Sequence, residues 1–212
     1  HWDHILGLPF FAPIFIPGNQ IHIYSVEHES EGLLRGLFKK PYFPVSWEML
    51  GSKIHFHRLE PRKQVQINGF NVTPYQLDHP DPCWGYRIEN EGKIYAHCVD
   101  TEGTRVTAKD LGLDLPFYQG GVDLMYFDAQ YSLPELAEKS NWGHSASQIG
   151  LDIAIREKIK NVLFAHHDPG AGYQQIFDIQ KQTQDYYNWK KMTADKKNEE
   201  FFAVNWYFAW EG

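Results

Sequence analysis

The residues of this chain that are able to do chemistry collect behind its apolar runs. The run ending at Leu77 is followed by Asp78-His79, residues 95–99 by Asp100, residues 122–127 by Asp128, and residues 161–165 by His166-His167. In layered α/β proteins ligands bind in the crevice beyond the carboxyl ends of the strands, so ionisable groups delivered there can converge. His1-Trp2-Asp3-His4 adds three more such groups within four residues. Neutral imidazoles and ionised carboxylates are the usual ligands of Zn²⁺ and Mn²⁺, and a tight turn can aim several at one centre. Taken alone, His-x-Asp-His reads equally well as an exposed polar loop. With the strand-end groups downstream, the reading becomes metal binding.

For these groups to meet, strands must end together and helices must cover them. Short apolar runs bounded by Gly, Pro, Asn or Asp predict strands at 21–25, 53–59, 64–67, 70–77, 85–89, 93–99, 122–127, 161–165 and 201–209. Asn90-Glu91-Gly92 predicts a hairpin turn between two of them. Ala146, Ile149, Gly150, Ile153 and Ala154 recur at helical spacing, predicting a helix over 145–158 with one face on a sheet. Shorter helices are expected at 31–40, 107–111 and 134–139, where Pro134 suits a first turn, and a longer polar one at 173–192. Strands and helices alternate in the second half, which argues for layered α/β packing with the helices outside. With no repeat, low-complexity tract or linker, residues 1–212 read as a single domain.

Bulk composition narrows the functions. A chain of 212 residues, 42% apolar and 16% aromatic, can bury a sizeable core. Its net charge of −7, with no basic block, gives no electrostatic footprint for a long polyanion, so large nucleic acids are not expected as partners. Cys83 and Cys98 have no CxxC spacing; they suggest neither a disulfide framework nor a thiolate site, and they fit a reducing cytoplasm. No run approaches the roughly 18–20 apolar residues that span a bilayer, so a soluble protein with no membrane partner is expected. The chain opens at His1 without an initiating methionine or a preceding strand, and its first strands are expected to be missing.

Taken in order, these segments form a pattern. His1-Trp2-Asp3-His4-Ile5-Leu6-Gly7-Leu8-Pro9 resembles the latter part of the HxHxDH motif of the metallo-β-lactamase superfamily, followed by the Gly-Leu-Pro stretch of its RNase Z-like branch. Asp78-His79-Pro80 with Gly85-Tyr86-Arg87-Ile88 is similar to the branch's third histidine motif, and Val99-Asp100-Thr101-Glu102 to its bridging-aspartate motif. Asp128-Ala129-Gln130-Tyr131 and Trp142-Gly143-His144-Ser145 are similar to its acidic residue and Gly-His-Ser pair, and Leu163 through Pro169 to its final histidine motif, with His166 at the ligand position.

The resemblance implies an αββα sandwich, incomplete at its N-terminus, that holds two divalent metal ions, zinc first, with manganese or iron accepting the same nitrogen and oxygen ligands. One ion would take His1 and His79 with a histidine two residues before His1, and the other Asp3, His4 and His166, with Asp100 between them. An activated water would attack phosphorus, because metals lower the pKa of water and a paired site stabilises attacking and leaving oxygens. His144 would be the general acid, oriented by Asp128, and Asp3 counts among the catalytic groups as well as the ligands. The simpler role for His144 is to cap the helix after it. His22, His55 and His57 lie inside strand patterns and are expected to be structural or exposed, His28 solvated, and His97 packed beneath the site; His167 and Asp168 could support it or touch substrate.

Enzymes of this branch that process transfer RNA carry a protruding arm between the Gly-Tyr-Arg and bridging-aspartate motifs, whereas little more than one hairpin joins Arg87 to Asp100 here. With the acidic charge, this points to a small phosphodiester, a cyclic nucleotide or cyclic ribose phosphate. Aromatics between Phe10 and Trp47 could stack a base while Arg35, Lys39 or Lys40 meets phosphate, or they could be ordinary core. The resemblance also implies a homodimer. Hydrolysis of a β-lactam or thioester, RNA processing, and non-catalytic binding on the same fold stay open as alternatives.

Overall fold

The computed structural model describes residues 1–105 and 107–210, and the chain divides into two compact units, residues 1–60 and 61–212. In the first unit a short helix α1 (Trp2–Ile5) holds the His-x-Asp-His segment, expected as a turn; Asp3 in its first turn suits the positive end of the helix dipole. Strands β1 (Gln20–Ser25) and β2 (Lys53–Arg58) pair in parallel, from Gln20 opposite Lys53 to Ser25 opposite Arg58. A parallel pair cannot be closed by a tight turn, and helix α2 (Ser30–Leu37) lies in the connection. Ile14, Leu37 and Phe38 form this unit's core, and the Phe38 ring meets Phe43 and Trp47 edge-on at 5.5 and 5.4 Å. The aromatics of 10–47 therefore divide: Phe38, Phe43 and Trp47 are packing residues, while Phe10 and Tyr42 are exposed. Arg35 is engaged locally, 2.8 Å from Glu31 and over the Trp47 ring. His22 stacks on His55 and on His57, with 2.8 Å between His22 Nδ1 and His57 Nε2.

The second unit is built on one seven-stranded sheet, in the order β3 (Val65–Ile67), β4 (Phe70–Gln76), β5 (Trp84–Asn90), β6 (Lys93–Cys98), β7 (Leu124–Asp128), β8 (Asn161–Ala165), β9 (Asn205–Phe208). β3 to β6 are antiparallel neighbours, and β6 to β9 are parallel. The turn between β5 and β6 is the expected hairpin: Asn90 faces Lys93, and Glu91 and Gly92 both take positive φ, at 48° and 73°. That is the backbone a two-residue type I′ turn requires, because its twist matches that of the flanking strands.

Alternation along β7 and β8 buries Met125 with Phe127 and Val162 with Phe164, which pair across the two strands. Helix α5 (Ser147–Glu157) covers them with Gly150, Leu151, Ile153 and Ala154, close to the face its periodicity predicts. Thr183 of helix α6 (Tyr173–Lys197) bonds Ser147 Oγ at 2.6 Å and joins the two helices. Helix α3 (Ala108–Leu111) is opened by a Thr107–Asp110 capping box, and α4 (Leu133–Glu138) by the pairing of Ser132 with Glu135, with Pro134 in its first turn. Among the described residues no helix is long and apolar enough to cross a membrane.

The two largest boundary differences from the sequence reading each have a local reason. The strand expected from residue 201 begins only at Asn205, because the Val204 N–H donates to the Tyr187 hydroxyl at 3.0 Å instead of to a neighbouring strand. Helix α6 runs five residues past 192 to Lys197, where Asn198 ends it at φ +56° in the left-handed conformation that asparagine tolerates.

α5 approaches the sheet through Gly150, where an added Cβ would lie 2.6 Å from the Phe127 ring and 2.8 Å from the Phe164 ring. In an isolated helix Gly→Ala stabilises by about 1 kcal/mol. Here overpacking costs about 1–3 kcal/mol and reverses the sign. Gly150→Ala is expected to unfold at a lower temperature than the parent; a raised Tm would refute this packing.

Candidate metal centre

Strand direction is what brings the site residues of the second unit together. β4 and β6 are both antiparallel to β5 and so run the same way, and β7 and β8 continue parallel to β6. Their carboxyl ends leave the sheet at one edge, and Asp78-His79, Asp100, Asp128 and His166 follow or finish them there.

Asp100 and His166 leave their strands at positive φ, +46° and +60°. For residues with a Cβ this backbone costs on the order of 1–3 kcal/mol and persists where the surroundings enforce it. It places His166 Nε2 3.2 Å from Asp100 Oδ1, and His166 Nδ1 3.8 Å from Asp128 Oδ1. Asp128, the last residue of β7, has no solvent exposure, and Asp100 only 5%. Asp128 accepts from the backbone N–H groups of Thr101 at 3.3 Å and Gln130 at 3.1 Å, and from His144 Nδ1 at 2.9 Å. Burial pushes the Asp128 carboxyl above its usual range, opposed by the His144 hydrogen bond and the charge of His166. The His144 ring stacks on that of His166 at 4.9 Å, so the general acid expected from sequence stands against an expected ligand.

Asp100, Asp128, His144 and His166 each offer a ligand atom within 4.8 Å of the others. Ionised carboxylates taken out of water are costly unless paired or bound to a cation. Two of them beside imidazole nitrogens form a donor set that fits a divalent ion such as zinc, manganese or iron. A nitrogen of His79 also lies within 4.8 Å of an Asp100 carboxylate oxygen. His79 Nδ1 faces the Asp81 backbone, 2.9 Å from its carbonyl and 3.0 Å from its N–H; the tautomer that donates to the carbonyl leaves Nε2 with the lone pair a metal needs. His1, Asp3 and His4 belong to the first unit, where His1 precedes α1 and His4 Nε2 lies 3.3 Å from Asp3 Oδ2.

Several supporting residues carried no signal in the sequence beyond their place in a motif. Glu102, two residues after Asp100, accepts from Gly143 N at 3.1 Å through its carboxylate and from Ser145 Oγ at 3.1 Å through its carbonyl, tying the loop after β6 to the loop bearing His144. Arg87 is buried and donates to the carbonyls of Pro116 and Gln119, so it anchors a loop. His167 Nε2 donates to the Ala209 carbonyl at 3.0 Å and its ring lies parallel to Phe208. His97 bonds the Tyr95 hydroxyl at 2.8 Å and packs on Tyr126. Burial pushes the Cys83 thiol up to about 12 and the Cys98 thiol higher, so neither is a thiolate at neutral pH.

Comparison with known proteins gives the family and the fold. The family described as "Beta-lactamase superfamily domain" matches residues 1–167. A ribonuclease Z of Ligilactobacillus salivarius is 35% identical over 97 residues, covering 43% of this chain and 29% of that protein. A ribonuclease Z of Staphylococcus carnosus is 29% identical over 108 residues, covering 44% of this chain and 31% of that one. The matched segments thus span about a third of the length of those relatives. Among solved structures, the metallo-β-lactamase fold protein YhfI from Bacillus subtilis superposes with a TM-score of 0.64 at 15% identity, covering all of this chain and 70% of that one, a likeness of fold.

Gly143 gives the site a direct structural test. It sits at φ +83°, and an added Cβ would lie 2.2 Å from His79 Nε2. Gly143→Ala is expected to displace that imidazole and weaken zinc binding by roughly ten- to a hundredfold, the usual effect of disturbing a ligand's support. Competition against a chromophoric chelator measures this, with circular dichroism to confirm the fold. A folded variant with unchanged affinity would remove His79 from the ligand set.

Proposed function

The chain belongs to the beta-lactamase superfamily domain family, and from that premise we propose that it is a dinuclear metal-dependent phosphodiesterase whose substrate is small, a cyclic nucleotide or cyclic ribose phosphate. The observation that carries the proposal is the His144–Asp128 pair, 2.9 Å apart and stacked beside His166. Breaking a phosphodiester leaves an alkoxide, which needs a proton at the moment of departure. His144 supplies it from Nε2, because Nδ1–H is committed to Asp128, which fixes the ring's orientation. That commitment is also why His144 is assigned to proton transfer although it lies within the ligand cluster.

Asp100, His79 and His166 are the proposed metal-binding residues of the second unit. His1, Asp3 and His4 are added on the His-x-Asp-His pattern alone, with Asp3 retained as a catalytic group. Bound divalent ions would supply Lewis acidity toward the phosphoryl oxygens and a lower pKa for water. A small substrate is favoured by the β5–β6 connection, which turns in two residues between Arg87 and Asp100 and has no chain to spare for an arm that would grip folded RNA. RNA processing is the second reading, favoured by the similarity to two ribonucleases Z.

Turnover of 2′,3′- and 3′,5′-cyclic mononucleotides, cyclic ribose phosphate, a linear dinucleotide, bis(p-nitrophenyl) phosphate, a transfer-RNA precursor and a β-lactam, with zinc or manganese added, separates these readings. Cyclic phosphates are expected to be the best substrates. Cleavage of the precursor alone would favour RNA processing, and cleavage of the β-lactam alone would end both. His144→Ala is expected to lower turnover about 10²- to 10⁴-fold where the leaving group is an alkoxide, and far less where it is p-nitrophenolate, with metal content retained. Equal loss on both substrates would make His144 structural.

A further inference from the structure

A cavity of about 640 Å³ opens beside the cluster in the second unit, and His166 forms part of its wall. The volume is in the range of small-molecule sites. Ala165, Ala171, Gly172 and Ala209 leave the space, and Tyr173 and Trp210 bound it with aromatic faces. Those two rings are nearly parallel, 16° apart in plane with centroids 6.2 Å apart, and Phe177 flanks Trp210 at 6.4 Å. All three are held in water, Tyr173 at 77%, Phe177 at 63% and Trp210 at 43% exposure. Single exposed apolar residues are ordinary, but two large rings lining a cavity, with a third packed on one of them, mark a binding surface.

The placement follows from topology. Tyr173 is the first residue of α6, and Trp210 lies just past β9. β9 runs parallel to β8, so its end emerges at the same sheet edge as His166. The bond from His167 to the Ala209 carbonyl holds the residue before Trp210 against the residue after His166. A phosphoryl group at the Asp100–His166 cluster would thus have its organic substituent beside a pair of ring faces.

We propose that this cavity is a stacking subsite for the nucleobase of a nucleotide substrate, with Tyr173 and Trp210 as its specificity-determining residues. The inference rests on the phosphodiesterase reading above and chooses, between its two substrate classes, the one that bears a base. Recognition is by π-face, which every base presents, so the site separates nucleotides from base-less sugar phosphates and discriminates little among bases.

Two measurements test it. In the first, Trp210→Ala and Tyr173→Ala are expected to raise KM for a 2′,3′-cyclic mononucleotide about tenfold more than KM for cyclic ribose phosphate, the usual size of one lost base stack, with little change in kcat. Trp210→Phe, which keeps a ring, is expected to restore most of the difference. Equal changes on both substrates would overturn the subsite. The second measurement does not depend on hydrolysis: by calorimetry the parent is expected to bind AMP about tenfold more tightly than ribose 5-phosphate, and Trp210→Ala to lose that preference. A Trp210-dependent preference for AMP in a protein that cleaves no phosphodiester would sustain the subsite and defeat the catalytic reading. Cleavage of cyclic phosphates with AMP and ribose 5-phosphate bound equally would do the reverse.

Discussion

Two carboxylates kept out of water set the terms for the second unit. Asp100 and Asp128 stand at the ends of adjacent parallel strands with 5% and 0% exposure, and burying anions side by side is unfavourable unless cationic or hydrogen-bonding partners surround them. The surroundings of both follow from that demand. The Thr101 and Gln130 amides and His144 converge on Asp128, and His166 meets both acids from the next strand. Glu102 then locks the loop that carries His144 to the loop that follows Asp100. Asp100, Asp128, His144 and His166 so arranged each offer a ligand atom within 4.8 Å of the others, and the sheet's apolar interior beneath them keeps the arrangement stiff.

That stiffness has an origin in packing. Gly150 lets α5 rest directly on Phe127 and Phe164, the side chains just before Asp128 and Ala165 in their strands. Those strands continue into Asp128 and His166, so the rings that fill the core also fix where the functional side chains begin. A binding constellation needs supports locked by packing to hold its geometry. Here the core and the site share two strands.

The sequence showed the strand ends clearly, because alternation and turn residues bound the apolar runs and an ionisable residue follows each one that matters. Residues 78–79, 100, 128 and 166 were all legible in this way, as was the Glu91-Gly92 turn. What escaped was non-local. Glu102 became a clamp only through Gly143 and Ser145, about forty residues on; Arg87 was visible as part of a motif but not as the anchor of the loop at 116–119. The start of β9 was hidden because the competing acceptor for Val204 is a tyrosine on α6. The cavity could not be read at all, since Tyr173 and Trp210 meet only after β9 has joined the sheet. The aromatics of 10–47 stood out more strongly in composition, yet Phe38, Phe43 and Trp47 prove to be packing.

The backbone at Asp100 and His166 bears on how such a chain changes over generations. Both residues occupy a left-handed conformation that glycine enters freely. Point mutations at these positions can therefore relax the backbone even as they abolish the cluster. A change to glycine at either position would trade an acid or an imidazole for an easier turn.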